Sequence, residues 1–202
     1  MAPEDDGRLM LRYARGDMRA FELLYARHRA PLYRYLARHT RHADTANDLF
    51  QEVWSKVIAS RERYAPSAQF RTFLFRIAHN CFIDHCRRAA VRTAESAGAA
   101  ADLELVLAAP AADGPEAHAE AAQTMVRYRQ ALAALPAEQR DVFLLYEESG
   151  LSLEDIANIS GVGVETAKSR LRYAVAKLRN ALAISAERFP ANVVTPAEEP
   201  GT

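Results

Sequence analysis

Apolar residues in the first part of the chain recur at threes and fours: Leu9, Tyr13, Phe21, Leu24, Tyr25, Leu32, Tyr35 and Leu36. Ala46, Leu49, Phe50, Val53, Trp54 and Val57 continue that rhythm through residues 43–58. Such spacing marks one face of an α-helix. Tyr64-Ala-Pro66-Ser breaks it, and Pro66 disfavours helix at Ala65. Phe70, Phe73, Leu74, Ile77 and Cys81 then share one face of a further helix, whose opposite face carries Thr72, Arg76, His79, Asn80, Ile83 and Arg87. The expectation is a helix that packs on one side and offers cations on the other. Trp54 lies on an apolar stripe and reads as core.

The second half is punctuated more clearly. A helix is expected from about Pro115 to about Ala134. Leu135-Pro136 restarts another through Val142, Phe143 and Leu144 to Glu148, with Gly150 as its stop. Ser152-Leu-Glu-Asp155 has the form of a capping box and opens a short helix over Leu153–Ile159. Ser160-Gly161-Val162 ends it, and a longer helix follows from about Val164 to Ala183. Long period-two runs of Val, Ile or Thr are absent. The fold class is therefore all-α: two small helical domains.

Composition changes along the chain. Of 202 residues half are apolar, and 26 Lys+Arg balance 26 Asp+Glu. A globally basic nucleic-acid protein is excluded, but a locally basic surface is not. Residues 1–92 hold 17 Lys+Arg against 10 Asp+Glu, whereas residues 93–122 hold six acids and no Lys or Arg. The organisation expected is a basic domain over 1–92, a flexible acidic Ala-rich linker over 93–121, a second domain over 122–187 and a disordered tail over 188–202. Two cysteines cannot staple a secreted mini-domain. The acidic start has no apolar signal region, and no apolar run is long enough for a membrane span, so the expected setting is cytoplasmic, with no membrane insertion. Neither G-x-x-x-x-G-K-[ST] nor G-x-G-x-x-G occurs.

The short helix, the turn at Gly161 and the longer helix match a helix-turn-helix. Val164, Ala167, Leu171, Ala174, Val175, Leu178 and Leu182 form the apolar seam of the second helix. Its remaining arc holds Lys168, Ser169, Arg170, Arg172, Tyr173, Lys177 and Arg179, with no acid between Thr166 and Ala186. Arg and Lys can reach two acceptors on a guanine edge, and Ser can donate to phosphate. His79, Cys81, His85 and Cys86 are all zinc-ligand types. On one helix, however, Cys81 and Cys86 sit about 140° apart, so they cannot gather round one ion. No metal or cofactor is expected. No Glu-x-x-His pair founds a di-iron site, and no catalytic residue is assigned. A DNA-binding regulator independent of polymerase would use only the second half.

The stretch Ala131-Leu-Ala-Ala-Leu-Pro-Ala-Glu-Gln-Arg-Asp-Val-Phe-Leu-Leu-Tyr146, then Gly150-Leu-Ser-Leu-Glu-Asp-Ile-Ala157 and Gly161-Val-Gly-Val-Glu-Thr-Ala-Lys-Ser-Arg-Leu-Arg172, resembles domain 4 of a bacterial sigma factor. Asp48-Leu-Phe-Gln-Glu-Val-Trp54 resembles the domain 2 helix that docks on RNA polymerase. Phe70-Arg-Thr-Phe-Leu-Phe-Arg-Ile-Ala-His-Asn80 through Asp84-His-Cys-Arg-Arg88 resembles its promoter −10 helix. The resemblance spans about 8–92 and 122–183, and the two-domain plan is that of the extracytoplasmic-function (ECF) type. It implies a promoter-specificity factor, not an enzyme, whose partners are core RNA polymerase, promoter DNA and an anti-sigma factor. Asp48, Gln51 and Glu52 would meet the β′ coiled coil, and domain 4 would rest on the β flap. Lys168, Ser169, Arg170, Arg172, Tyr173 and Lys177 would contact the −35 element. Arg63, Tyr64, Gln69, Arg71, Arg76 and Asn80 would serve the −10 element and melting, with Tyr64 favoured for stacking and Phe75 and Phe82 as second-core alternatives. The family usually carries extra acids just before the Asp48 position, whereas Thr45 and Asn47 here are uncharged. That departure implies weaker core binding, or charge restored by phosphorylation of Thr45.

Overall fold

Side-chain oxygens start several of the helices. In the computed structural model, which describes residues 4–40, 42–64, 69–95 and 115–182, Asp5 accepts from the Arg8 N–H to open α1 (Asp6–Ala14). Gly16, at φ 97°, turns the chain, and Asp17 accepts from the N–H groups of Arg19 and Ala20 to open α2 (Met18–His39). Each cap satisfies donors that a helix leaves orphaned at its start. Then come α3 (Ala43–Ala59), a 3₁₀ turn at Arg61–Arg63 and the long α4 (Phe70–Glu95).

The second group is α5 (Pro115–Ala133), α6 (Ala137–Leu144) running into a π-helical turn at Leu145–Ser149, α7 (Leu153–Ser160) and α8 (Val164–Leu182). Gly150 and Gly161 end their helices at φ 62° and 66°, where a side chain would be strained. Ser152 caps α7: its hydroxyl accepts from the Asp155 N–H and donates to the Asp155 carboxylate. Element type and order follow the expectation, and the described residues contain no strand. Most of the expected linker and all of residues 188–202 lie outside the described residues, although α5 already begins at Pro115.

Leu9, Leu24, Leu32, Leu36, Val53, Trp54, Leu74 and Cys81 are buried in the first group, and Val142, Phe143, Leu144, Ile156, Leu171 and Leu178 in the second. Trp54 is core, as its stripe implied. Val164, by contrast, is 41% exposed and leaves the α8 seam.

Helix α4 departs from the two-faced expectation. Phe70, Leu74, Ala78 and Cys81 face the first core, but Thr72, Phe75 and Phe82 are buried as well, on another side. That side meets the second group, because α4 packs on α7 and α2 packs on α6 and the π-helical turn. Arg76, Asn80, Ile83 and Arg87 remain exposed, so the cationic face is real but narrower than expected.

A polar node lies where the groups meet. The Tyr35 hydroxyl donates to the Asp141 carboxylate at 2.9 Å, His79 Nδ1 lies 3.3 Å from it, and Ser160 Oγ approaches its other oxygen at 3.5 Å. His39 Nε2 is 3.3 Å from Asp141, yet neither of its buried ring nitrogens has hydrogen-bond geometry to a partner. Burial alone would raise the Asp141 carboxyl; the His39 and His79 imidazoles outweigh it and hold the group well below the ordinary carboxylate range. Burial lowers the His39 imidazole against the opposing pull of Asp141, and burial lowers His28 against Asp6.

Tyr64 and Tyr35 give opposite expectations. Tyr64 is buried against Phe70 and Phe73 with its hydroxyl unpartnered, so Tyr64→Phe leaves the melting temperature unchanged or raises it. Tyr35→Phe removes a donor from a buried carboxylate and costs about 2 kcal/mol, a drop of about 4–8 °C by calorimetry. The buried histidines set a pH dependence. A buried histidine with a lowered pKa stabilises the fold fully above the unfolded value of about 6.5, and loses that contribution as pH falls below it. Asp141, also lowered, contributes above its unfolded value and is unaffected in this window. The melting temperature is therefore expected to fall between about pH 7.5 and about pH 5, and less steeply in His39→Phe.

Candidate nucleic-acid interface

The turn at Gly161 is what presents α8. Its left-handed backbone lets the chain reverse within three residues, from Ser160 at the end of α7 to Val164 at the start of α8. Ala167, Leu171, Ala174, Val175 and Leu178 then seat α8 on the core of the second group. At about 100° per residue, Ser169, Arg172 and Tyr173 occupy the middle of the opposite face, with Lys168 and Lys177 on its two flanks, about 180° apart. Lys168, Arg172, Tyr173 and Lys177 are exposed, Tyr173 by 52%. The Arg172 guanidinium lies 5.2 Å from the Tyr173 ring centroid, a cation–π contact that fixes both side chains. Ser169 donates to the Thr166 carbonyl at 3.0 Å, leaving oxygen lone pairs outward.

Arg170 differs from its neighbours. It is half-buried and ion-paired with Glu138 of α6, at the edge of the face. In this conformation it positions α8 against α6. Lys168 has a loose ion pair with Glu165 at 3.8 Å, in the first turn where the helix dipole favours an acid.

The residues expected to serve the −10 element do not form one surface. Arg63, Gln69, Arg71, Arg76 and Asn80 are all exposed. Arg76 and Asn80 share a strip of α4, but Arg71 lies about 140° and 180° round the helix from them. Its guanidinium approaches the Gly150 turn of the second group: Nη1 would be 3.4 Å from a Cβ on Gly150. Tyr64 is corrected more strongly. Its loop position favours a base-stacking ring, but the ring packs on Phe70 and Phe73 and is 9% exposed. Those aromatic neighbours are more favourable for the ring than water. Phe75 and Phe82 are interior too, as the second-core alternative held.

Asp48, Gln51 and Glu52 lie within about 100° of one another on α3. Asp48 and Gln51 are exposed. Glu52 is bound by Lys56 at 2.8 Å and Arg88 at 3.5 Å, and Lys56 above all holds its carboxyl below the ordinary range. Asp48, Glu52, Arg87, Arg88 and the half-buried Thr45 line a groove of about 740 Å³ between α3 and the end of α4. The histidine–cysteine cluster of α4 disperses: Cys81 is buried, accepting from Lys56 Nζ at 3.2 Å, and Cys86 is exposed. No group of metal-ligating side chains assembles among the described residues, and no described helix is long and apolar enough to cross a membrane.

What the sequence reading missed is the set of contacts between the two groups. His39, Asp141 and Glu148 carry these contacts. The one local signal is Asp141, an acid at the head of the apolar run Val142-Phe-Leu-Leu145.

Comparison with known proteins agrees with the two-part architecture. Residues 24–92 match the family described as Sigma-70 region 2, and residues 125–178 match Sigma-70, region 4. The chain is 31% identical over 179 residues to the ECF RNA polymerase sigma factor SigC of Mycobacterium tuberculosis, spanning 89% of this chain and 90% of that protein. It is 33% identical over 174 residues to the RNA polymerase sigma factor CarQ of Myxococcus xanthus, spanning 86% and 95%. Among solved structures it is similar to the sigma factor RpoE of Bartonella quintana, in complex with the anti-sigma factor NepR, with a TM-score of 0.69, 27% identity and coverage of 82% and 98%. A basic, helical region 2 followed by a helix-turn-helix region 4, matched in order by relatives over nearly their whole length, places this chain in the sigma-70 family, among the ECF sigma factors that give RNA polymerase its promoter specificity.

Proposed function

We propose that this chain recruits core RNA polymerase to promoters by reading both a −10 and a −35 element and by helping to melt the duplex. The observation that carries the reading is the exposed face of α8, free of acids from Thr166 onward and held out by a helix-turn-helix. Ser169, Arg172 and Tyr173 enter the −35 major groove, while Lys168 and Lys177 contact phosphates on either side. Arg170 joins them on release from Glu138. Arg76 and Asn80 face the −10 region from α4, with Arg63, Gln69 and Arg71 around the loop before it. Asp48, Gln51 and Glu52 dock on the β′ coiled coil, and domain 4 rests on the β flap. An anti-sigma factor is a further proposed partner, as for the RpoE neighbour. A phosphate on Thr45 would add charge to the rim of the docking helix; Thr45→Glu then tightens core binding, and unchanged affinity removes that idea.

The test is competition with the housekeeping sigma factor for core polymerase, followed by run-off transcription. Tight one-to-one binding and promoter-specific transcripts are expected; folded protein that binds DNA but not core would make it a polymerase-independent regulator. Asp48→Arg should weaken core binding at least about tenfold while leaving DNA contacts unchanged. Arg172→Ala is expected to cost about 1–3 kcal/mol on a −35 duplex and relax base preference. Lys177→Ala should weaken all duplexes alike and lower the salt slope of binding by about one. Titration of labelled duplexes at several salt concentrations separates the two.

A further inference from the structure

One apolar residue interrupts the cationic strip of α4. At about 100° per residue, Arg76, Asn80, Ile83 and Arg87 fall within about 60° of one another, a straight stripe down one side of the helix. All four are exposed, Ile83 by 39%. Arg76 and Arg87 end the stripe about 16 Å apart, and between them Asn80 and Ile83 are separated by about 4.5 Å along the axis. Arg87 is held only loosely, by Asp84 at 3.8 Å. Asp84 itself lies off the stripe, about 100° round from Ile83. Val91, the other exposed large apolar residue of α4 among the described residues, lines the groove against α3 instead.

Local chemistry does not explain an isoleucine at this position. A branched side chain is a poorer helix former than Ala, Lys or Arg, and its exposed part gains nothing from the core. The aromatic candidates for base contact are withdrawn, because Tyr64, Phe75 and Phe82 are all buried. Ile83 is thus the apolar group that the stripe holds out to solvent. An α-helix fits the major groove of a duplex, where adenine offers N7 and N6 to an Asn side chain and thymine offers its C5 methyl to an apolar one. Cations at both ends of the stripe suit the phosphates that rim the groove. A separation of about 4.5 Å is close to one base step of about 3.4 Å, so Asn80 and Ile83 match neighbouring base pairs.

We propose that Ile83 is a specificity-determining residue of the −10 element: it packs on the C5 methyl of a thymine in the paired part of the element, beside the base pair that Asn80 reads. This deepens the promoter reading above and rests on it. The contact differs in kind from those of Arg76 and Arg87, which bind phosphate whatever the sequence. It carries base identity without a charge or a hydrogen bond, and it separates thymine from cytosine and uracil, which lack the methyl group. One methyl group shielded from water against Ile83 gives about a fourfold preference.

The experiment uses the full-length chain, bound to core polymerase, as the parent and as Ile83→Ala, Ile83→Val and Asn80→Ala. Selection of each holoenzyme against a pool of duplexes of randomised sequence gives the base preference at every position. The parent is expected to enrich a thymine that Ile83→Ala no longer selects and that Ile83→Val still does, with the other preferences kept. That position should neighbour the one whose preference Asn80→Ala flattens. Uracil in place of that thymine removes only the methyl group; it should weaken binding by the parent about fourfold and leave Ile83→Ala unaffected. Unchanged preferences in Ile83→Ala overturn the assignment, as does a uracil effect that is absent from the parent or equal in the two. Weaker core binding by Ile83→Ala makes the residue structural and overturns it as well. A parent holoenzyme that enriches no sequence fails the promoter reading and this assignment together, whereas enrichment that ignores Ile83 fails the assignment alone.

Discussion

A carboxylate removed from water must be given donors, and the placement of Asp141 turns that rule into an architecture. Asp141 sits on α6 among Val142, Phe143 and Leu144, all buried. Within its own helical group the donor named for it is Ser160, at 3.5 Å; the shorter bond, from Tyr35, comes from the other group. The ionised form survives there because Tyr35, His79 and His39 converge on it. Removing one partner strands the rest, since the penalty of an unpaired buried charge exceeds the net value of the pair. The docking of one half of the chain on the other thus runs through Asp141, with Glu148 and Asp155 repeating the arrangement on either side of the Gly150 turn.

The same constraint explains why α4 is not amphipathic in the simple sense. Helix α4 has three neighbours: its own core along Phe70, Leu74 and Cys81, the second group along Thr72 and His79, with Phe75 and Phe82 buried against Tyr35 and His39 of α2, and solvent along Arg76, Asn80 and Arg87. Helix α8 has only two, a core and solvent, so its cations stay clustered on one face. The contrast bears on readout. The residues on α8 already form a single surface that fits a groove, whereas those around α4 are divided between solvent and an internal contact.

The helices, their order and most of their ends could be read from sequence because local chemistry fixes them. Ser152 caps α7 and Gly150 and Gly161 stop their helices wherever the rest of the chain lies. The α8 face could be read for the same reason: a 3.6-residue period and an absence of acids are properties of one segment. The interdomain node could not. Tyr35 and Asp141 are 106 residues apart, and neither stands out locally. Tyr64 illustrates the converse error. A loop position suggested exposure, but a large ring next to Phe70 and Phe73 gains more by burial than a loop gains by solvation. His39 gives no local signal either: a basic residue at a helix end usually faces water, but here it packs against Tyr35 and Phe82.

The contact between the two helical groups mixes two kinds of cost. Apolar faces that part expose surface at about 25 cal/mol per Å², and Phe75 and Phe82 lie buried against Tyr35 and His39 of the node. Carboxylates, guanidinium groups and imidazoles that part regain water, so the ion pairs add specificity to the docking more than they add stability. The ring nitrogens of His39 fit that division: they are buried without hydrogen-bond geometry to a partner, so the polar groups fix the register of the docking while the rings beside them carry the burial.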